Sequence, residues 1–416
     1  MERSLRINVN TLYLMGFFHS FLVVTPIFVP LLQGYGLSMA EVMQTQAMFA
    51  FTVAVLEVPS GYIADLWGRR RAMLLGSAIN AAGYVSLMQA QSFGDFLFCE
   101  FLLGVGISLI SGADVALLYD SESQLAAAGD ETANPSRGLS RLIAIEAGAS
   151  GVAGIVASLL FAFGDMGLLL AVQAACGFIP LLLGCLLTEA PRPLLAQAHR
   201  GHAVAILGVL LKGSPVVLWT SIAIVAFGLL AMYAYWIYQK YWEVQGIPVG
   251  AFGYIWAAFA LSVSVTARYS GALEAWLGWR RLLWATALLP LAGILGMAVF
   301  SGWVGVLFGF AIQLSRGISL TLFYEALNRR IAGDYRATVN SLVSLGLRAL
   351  FIVTGPLMGW ALDLAGVSST LLGLALVFTP LLILVVLALV PRIGRDVNEE
   401  AVPELPALEQ PDRATF

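Results

Sequence analysis

Long apolar runs, interrupted by short polar phrases, cover almost the whole chain. They fall at about 9–33, 39–64, 72–91, 95–119, 139–162, 167–188, 214–239, 250–268, 282–301, 303–327, 338–362 and 370–390. A helix needs about 20 such residues to cross a ~30 Å hydrocarbon layer. None of the runs alternates apolar with polar, as the ~10-residue strands of a membrane barrel must. The pattern predicts twelve membrane-crossing helices, an all-α polytopic membrane protein. Composition agrees: 59% of the 416 residues are hydrophobic and 11% charged, against about 25% charged in a soluble domain. Mean hydropathy is +0.86.

The polar phrases between the runs set the expected orientation. With the N-terminus in the cytoplasm and strict alternation, every one of the 22 Lys and Arg residues except Lys240, Arg316 and Arg348 falls in a cytoplasmic segment. The opposite orientation inverts this bias, so both termini are expected to be cytoplasmic. The first run is too long for a signal-peptide core and is expected to be retained. The net charge of −3, with no basic domain, gives nucleic acid no binding surface. The three cysteines lie inside apolar runs with no zinc spacing, and His199 and His202 lack further ligands, so no metal site is expected. Without a Walker loop, ATP is not expected to act as energy source. No nucleophile–base constellation stands out, so the chain does not read as an enzyme.

The chain also repeats itself. GYIADLWGRRR at Gly61–Arg71 is echoed by GALEAWLGWRR at Gly271–Arg281. ISGADVALLYD at Ile110–Asp120 is echoed by SRGISLTLFYE at Ser315–Glu325, pairing Tyr119 with Tyr324 and Asp120 with Glu325. A shift of half the chain means two parallel six-helix halves. The expected organisation is a bundle at 1–190, a cytoplasmic linker at 191–213, a second bundle at 214–390 and a disordered cytoplasmic tail at 391–416, rich in Pro and Glu.

Six plus six helices with this loop between the second and third resemble the major facilitator superfamily over nearly the whole chain. The family's loop signature falls on Gly61, Asp65, Gly68, Arg69 and Arg70; Leu66 departs from the usual basic residue, and the second copy is looser, with Glu274 one place early. The resemblance implies two bundles related by a pseudo-two-fold axis. It places Asp65 beside the start of the eleventh helix, near Thr338, where a helix N-terminus favours a carboxylate. Arg69 or Arg70 can then reach Asp120, and Arg280 or Arg281 can reach Glu325, as contacts that hold the cytoplasmic side closed.

Ionisable residues inside the membrane are costly unless sheltered, so their placement points to a substrate or proton path. The candidates are His19, Glu57, Glu100, Asp114, Glu146, Arg316 and Arg348. The third, sixth, ninth and twelfth runs carry none, and in the family those four face lipid. Read as one helix, the fourth run brings Glu100 and Asp114 within about 40° of each other. Tyr233 and Trp236 share a face with Lys240 in MYAYWIYQKYW, which serves either as an interfacial belt or as a stacking surface. Glu57 lies about 12 Å and Arg348 about 15 Å above the cytoplasmic face, and the resemblance implies that the second and eleventh helices adjoin across the halves, so a pair between them is expected. The bland alternative is that each bonds within its own half.

These readings combine into an expected function. The chain is expected to act as a monomeric secondary transporter of a small organic molecule in a bacterial inner membrane, proton-coupled, cofactor-free and outward. The glycines of the fifth run, Gly148, Gly151 and Gly154, resemble the drug-antiporter branch, although its proline is missing and Glu100 stands where that branch often has Arg. The alternatives are a proton-coupled importer of a nutrient or metal chelate such as a siderophore, and a non-transporting sensor or assembly factor.

Overall fold

The computed structural model describes residues 2–189, 214–331 and 333–392. The expected linker 191–213 and all but the first two residues of the expected tail lie outside the described residues. Among the described residues there is no strand, and the helices follow the apolar runs. The first half comprises α1 (Glu2–Ser20), α2 (Phe28–Gly34), α3 (Met39–Trp67), α4 (Arg69–Gln89), α5 (Phe93–Ile110), α6 (Ala113–Ala127), α7 (Pro135–Phe163) and α8 (Met166–Gly184). The second comprises α9 (Pro215–Val244), α10 (Val249–Leu277), α11 (Trp279–Val299), α12 (Gly302–Asn328) and α13 (Gly333–Leu389). Among the described residues, ten segments are long and apolar enough to cross a membrane. Twelve crossings result when α4, which opens on three arginines, is added and α13 is divided at Gly366, where φ is +74°.

Two crossings are broken in a way the apolar pattern does not reveal. The first unwinds between α1 and α2, with one 3-10 turn at Thr25–Ile27. The fourth breaks at Gly112, whose φ of +87° no other residue adopts without strain. Asp114 supports that break: its carboxylate accepts from the N–H groups of Gly112 at 3.1 Å and Val115 at 2.6 Å. The echoing stretch in the second half stays helical within α12. There Ser319, at the place of Asp114, turns its hydroxyl back onto the Arg316 carbonyl. Glu100 and Asp114 therefore do not share one continuous helix, and the expected acidic face is absent.

The loop repeat is structural as well as textual. Gly68 and Gly278 both take positive φ, +98° and +76°. Both donate their N–H back four residues, to Ala64 and Glu274, and both start the next helix immediately. We refer to this side of the molecule as the motif end and to the opposite side as the far end. The halves meet along two seams, α3 against α13 and α7 against α10, with α2 against α9 closing the far end. At the α7–α10 seam the backbones of Gly154 and Gly253 touch; a Cβ on Gly154 would stand 2.6 Å from the Gly253 carbonyl. Small residues permit this approach. The buried residues of α10 are confined to Phe252–Phe259, its far-end turns. Towards the motif end the seam leaves Ala144, Ala147 and Gly148 of α7 and Ser264 and Val265 of α10 exposed.

Candidate functional site

A cavity with two lobes lies between the halves. One lobe, about 380 Å³, is walled by α3, α9, α12 and α13 and contains Arg316 and Arg348. The other, about 230 Å³, lies in the first half and contains His19, Asn80, Tyr84 and Glu100. Gln46, Phe49, Tyr235 and Trp236 border both lobes. Charges of opposite sign thus stand on opposite sides of an aromatic partition. Trp236 packs against Tyr235 at 4.8 Å between ring centroids and against Phe28 at 5.7 Å, so the partition is a packed wall. Gln46 crosses it: its amide nitrogen donates to Glu100 Oε1 at 3.0 Å. Glu100 as a whole is 6% exposed. The neighbouring His19 has a buried Nε2 with no hydrogen-bond partner among the described residues.

The remaining predicted path residues divide into three groups. Arg348 donates to Glu57 Oε2 at 3.1 Å, across the α3–α13 seam and on its motif-end side. This is the expected cross-half pair, in place of bonding by each residue within its own half. Asp114 is occupied in capping α6, and Glu146 of α7 lies against Gly16 of α1; neither lines the lobes. Tyr233 is also displaced from the expected role. It is buried in the second half, donates to Thr354 Oγ1, and packs against Phe351 and Phe378. Its neighbour Tyr235 faces the cavity with Trp236. Lys240 is held by Gln33 at 2.9 Å and Glu243 at 3.0 Å.

At the motif end, Arg69 pairs with Asp120. The bond ties α4 to α6 within the first half, so it stiffens one bundle rather than latching the two together. A residue outside the expected set completes the loop: Glu189 accepts from the N–H groups of Arg69 at 2.9 Å and Arg70 at 3.1 Å. A carboxylate there satisfies the open N–H groups that begin α4. Arg70 reaches the Cys185 carbonyl. Asp65 sits in the last turn of α3, and Gly61, one turn before it, has open space around it. In the second half the expected pairing differs. Glu325 pairs with Arg329 on its own helix, four residues on, while Arg280 lies over the Trp279 ring at 5.3 Å. The i,i+4 spacing places Arg329 within reach at no cost in chain rearrangement, and it takes the carboxylate expected to serve Arg280 or Arg281.

The far end is closed by hydrogen bonds that cross between halves and end on backbone groups. Gln239 of α9 is fully buried. Its amide oxygen accepts from the Val29 N–H at 2.8 Å, and its amide nitrogen donates to the Thr25 carbonyl at 3.1 Å. It bridges the 3-10 turn of the first crossing and the first turn of α2, adding a second bond to a Thr25 carbonyl that already accepts from the Phe28 N–H. Asp363 of α13 accepts from the N–H groups of Met39 at 2.9 Å and Ala40 at 2.8 Å, capping α3 from the other half. Tyr254 of α10 donates its N–H to Ser158 of α7 at 3.1 Å. None of Gln46, Gln239, Asp363 or Glu189 was singled out from the sequence. Asp363 carries the same signal as Asp65, an acid ending an apolar run; the two glutamines are neutral and leave only a polar letter inside apolar text.

The chain belongs to the Major Facilitator Superfamily, whose sequence model matches residues 11–335. No curated protein matches the chain. Solved structures share its fold. A mutant form of the nucleoside transporter NupG aligns with a TM-score of 0.73 at 12% identity, over 94% of this chain and all of that one. A bacterial homologue of the human lysosomal transporter Spinster, inward-facing and unoccupied, aligns with a TM-score of 0.67 at 15% identity, over 93% and 96% of the two chains. A D-xylose–proton symporter aligns with a TM-score of 0.65 at 14% identity, over 91% and 97%. At such identities the likeness is one of fold. Family and fold together define a multi-pass membrane transporter for a small molecule, not an enzyme.

Proposed function

We propose that this protein exports a small organic molecule across a bacterial inner membrane by alternating access, driven by the proton gradient, as a monomer with both termini in the cytoplasm. The observation that carries the reading is the cavity itself. It lies at the seam between two bundles, holds charge of both signs, and is closed at the far end by bonds that cross between the bundles. Such bonds can break as the bundles rock, without disturbing either bundle's core. With the motif end cytoplasmic, the far-end bonds form the outer closure, and the parted α7–α10 seam lies on the cytoplasmic side. Glu100 is the group we assign to proton loading, because it is the buried acid that faces the cavity. Outward direction rests on the glycine-rich fifth crossing and the exporter resemblance. Transport assays in inverted and right-side-out vesicles test the reading. Accumulation in inverted vesicles that collapses with the pH gradient supports proton-coupled export. Accumulation only in right-side-out vesicles reverses the direction, and no movement of any substrate class in either orientation overturns transport.

A further inference from the structure

Arg316 presents a charge that the rest of the protein leaves unmatched. It stands on α12 in the larger lobe, and a guanidinium stays protonated under all conditions a protein meets. A fixed charge at membrane depth is costly unless it is paired. The other cavity arginine, Arg348, has Glu57. Among the described residues, Arg316 has no carboxylate partner. The acids nearest in kind are engaged elsewhere: Glu100 with Gln46 in the other lobe, and Asp114 with backbone N–H groups. Ser319, one turn on, spends its hydroxyl proton on the Arg316 carbonyl.

The surroundings describe what the missing anion is attached to. The lobe around Arg316 is walled by the aromatic side chains of Tyr235, Trp236, Phe227, Phe323 and Phe351. Its volume is at the low end of the ~300–1,000 Å³ typical of small-molecule pockets. A planar guanidinium with parallel N–H groups matches a carboxylate with two bonds, a geometry that a lysine cannot reproduce. Resting on the transporter reading above, we infer that the substrate is a small organic monoanion: its carboxylate forks onto Arg316 and its apolar body packs among the aromatic side chains of the lobe, Tyr235 and Trp236 included. The substrate then supplies the counter-charge that the lobe lacks, and the aromatic wall excludes polar molecules of the same charge.

The test is direct binding to the full chain in lipid nanodiscs, by calorimetry and by thermal stabilisation. The probes are benzoate, 2-naphthoate and indole-3-acetate, each against its primary amide, with 3-phenylpropanoate against phenylalanine. At least one carboxylate is expected to bind over its amide, and Arg316→Gln to weaken it about 10- to 100-fold, as loss of a charge-assisted bond does. Arg316→Lys, which keeps the charge but not the fork, is expected to fall between, and its unfolding temperature without ligand reports whether the site still folds. Equal binding of acid and amide, binding indifferent to Arg316→Gln, preference for phenylalanine over 3-phenylpropanoate, or no carboxylate bound by the unaltered protein each overturns the inference. Counterflow in proteoliposomes separates it from the transporter reading. A carboxylate bound through Arg316 but never exchanged removes transport and keeps the anion site. Exchange of a neutral or cationic substrate indifferent to Arg316 removes the anion site and keeps transport.

Discussion

Gln239→Leu should release the far end. The glutamine is wholly buried, and its two bonds meet the Val29 N–H in the first turn of α2 and the Thr25 carbonyl, which also accepts from the Phe28 N–H. Leucine fills a similar volume but leaves the Val29 N–H without the acceptor that Gln239 supplies, while the Thr25 carbonyl keeps only its bond from the Phe28 N–H. A buried donor left unmet costs about 1–3 kcal/mol, so the closed state loses about that much relative to one in which water reaches the break. At about 1.4 kcal/mol per factor of ten, the ratio of far-end-closed to far-end-open molecules should fall by at least about 5-fold. Paired spin labels read this ratio. Met88, near the far end of α4, and Val299, at the far end of α11, are both exposed and belong to different halves. With the free cysteines Cys99, Cys176 and Cys185 replaced, labels at these positions should show a distance distribution moved to longer separations by Gln239→Leu. An unchanged distribution in a variant that unfolds cooperatively would refute the reasoning, because the clamp would then contribute nothing to closure.

Further outcomes follow from the same contacts. Glu57→Arg and Arg348→Glu should each abolish transport, and the double exchange should recover part of it; a double variant no better than the worse single variant removes the pair from the mechanism. Glu100→Gln should retain counterflow exchange in proteoliposomes and lose accumulation driven by a pH gradient, whereas full gradient-driven accumulation assigns proton coupling elsewhere. Gly68→Ala should lower thermal stability, since a φ of +98° costs a non-glycine residue on the order of 1–3 kcal/mol and the new Cβ would meet Glu189 Oε2 at 2.9 Å; an unshifted melting curve contradicts this.

The covalent order of apolar and polar residues was enough to determine the architecture. Crossing a bilayer admits one local solution, a run of about 20 apolar residues with its backbone bonds closed internally, so the twelve crossings could be read directly. The repeat of Gly68 at Gly278 was legible for a related reason: a turn needing positive φ leaves a glycine in the text. The Glu57–Arg348 pair could be placed because depth along a helix is a matter of counting residues and the family resemblance implied that the second and eleventh helices adjoin. Tertiary structure decided what counting cannot reach. Which face of α9 meets the cavity separated Tyr235 and Trp236 from Tyr233, neighbours in sequence with opposite environments. A single glycine at 112 broke the fourth crossing and removed the shared face of Glu100 and Asp114, while the matching stretch of α12 stayed whole. Glu325 took the nearer Arg329 because a partner on the same helix needs no approach of another. Gln239, Asp363 and Glu189 acquire their roles only where one element's open backbone groups meet another element's side chain. That match depends on where separate helices come to rest, which no local run of residues encodes.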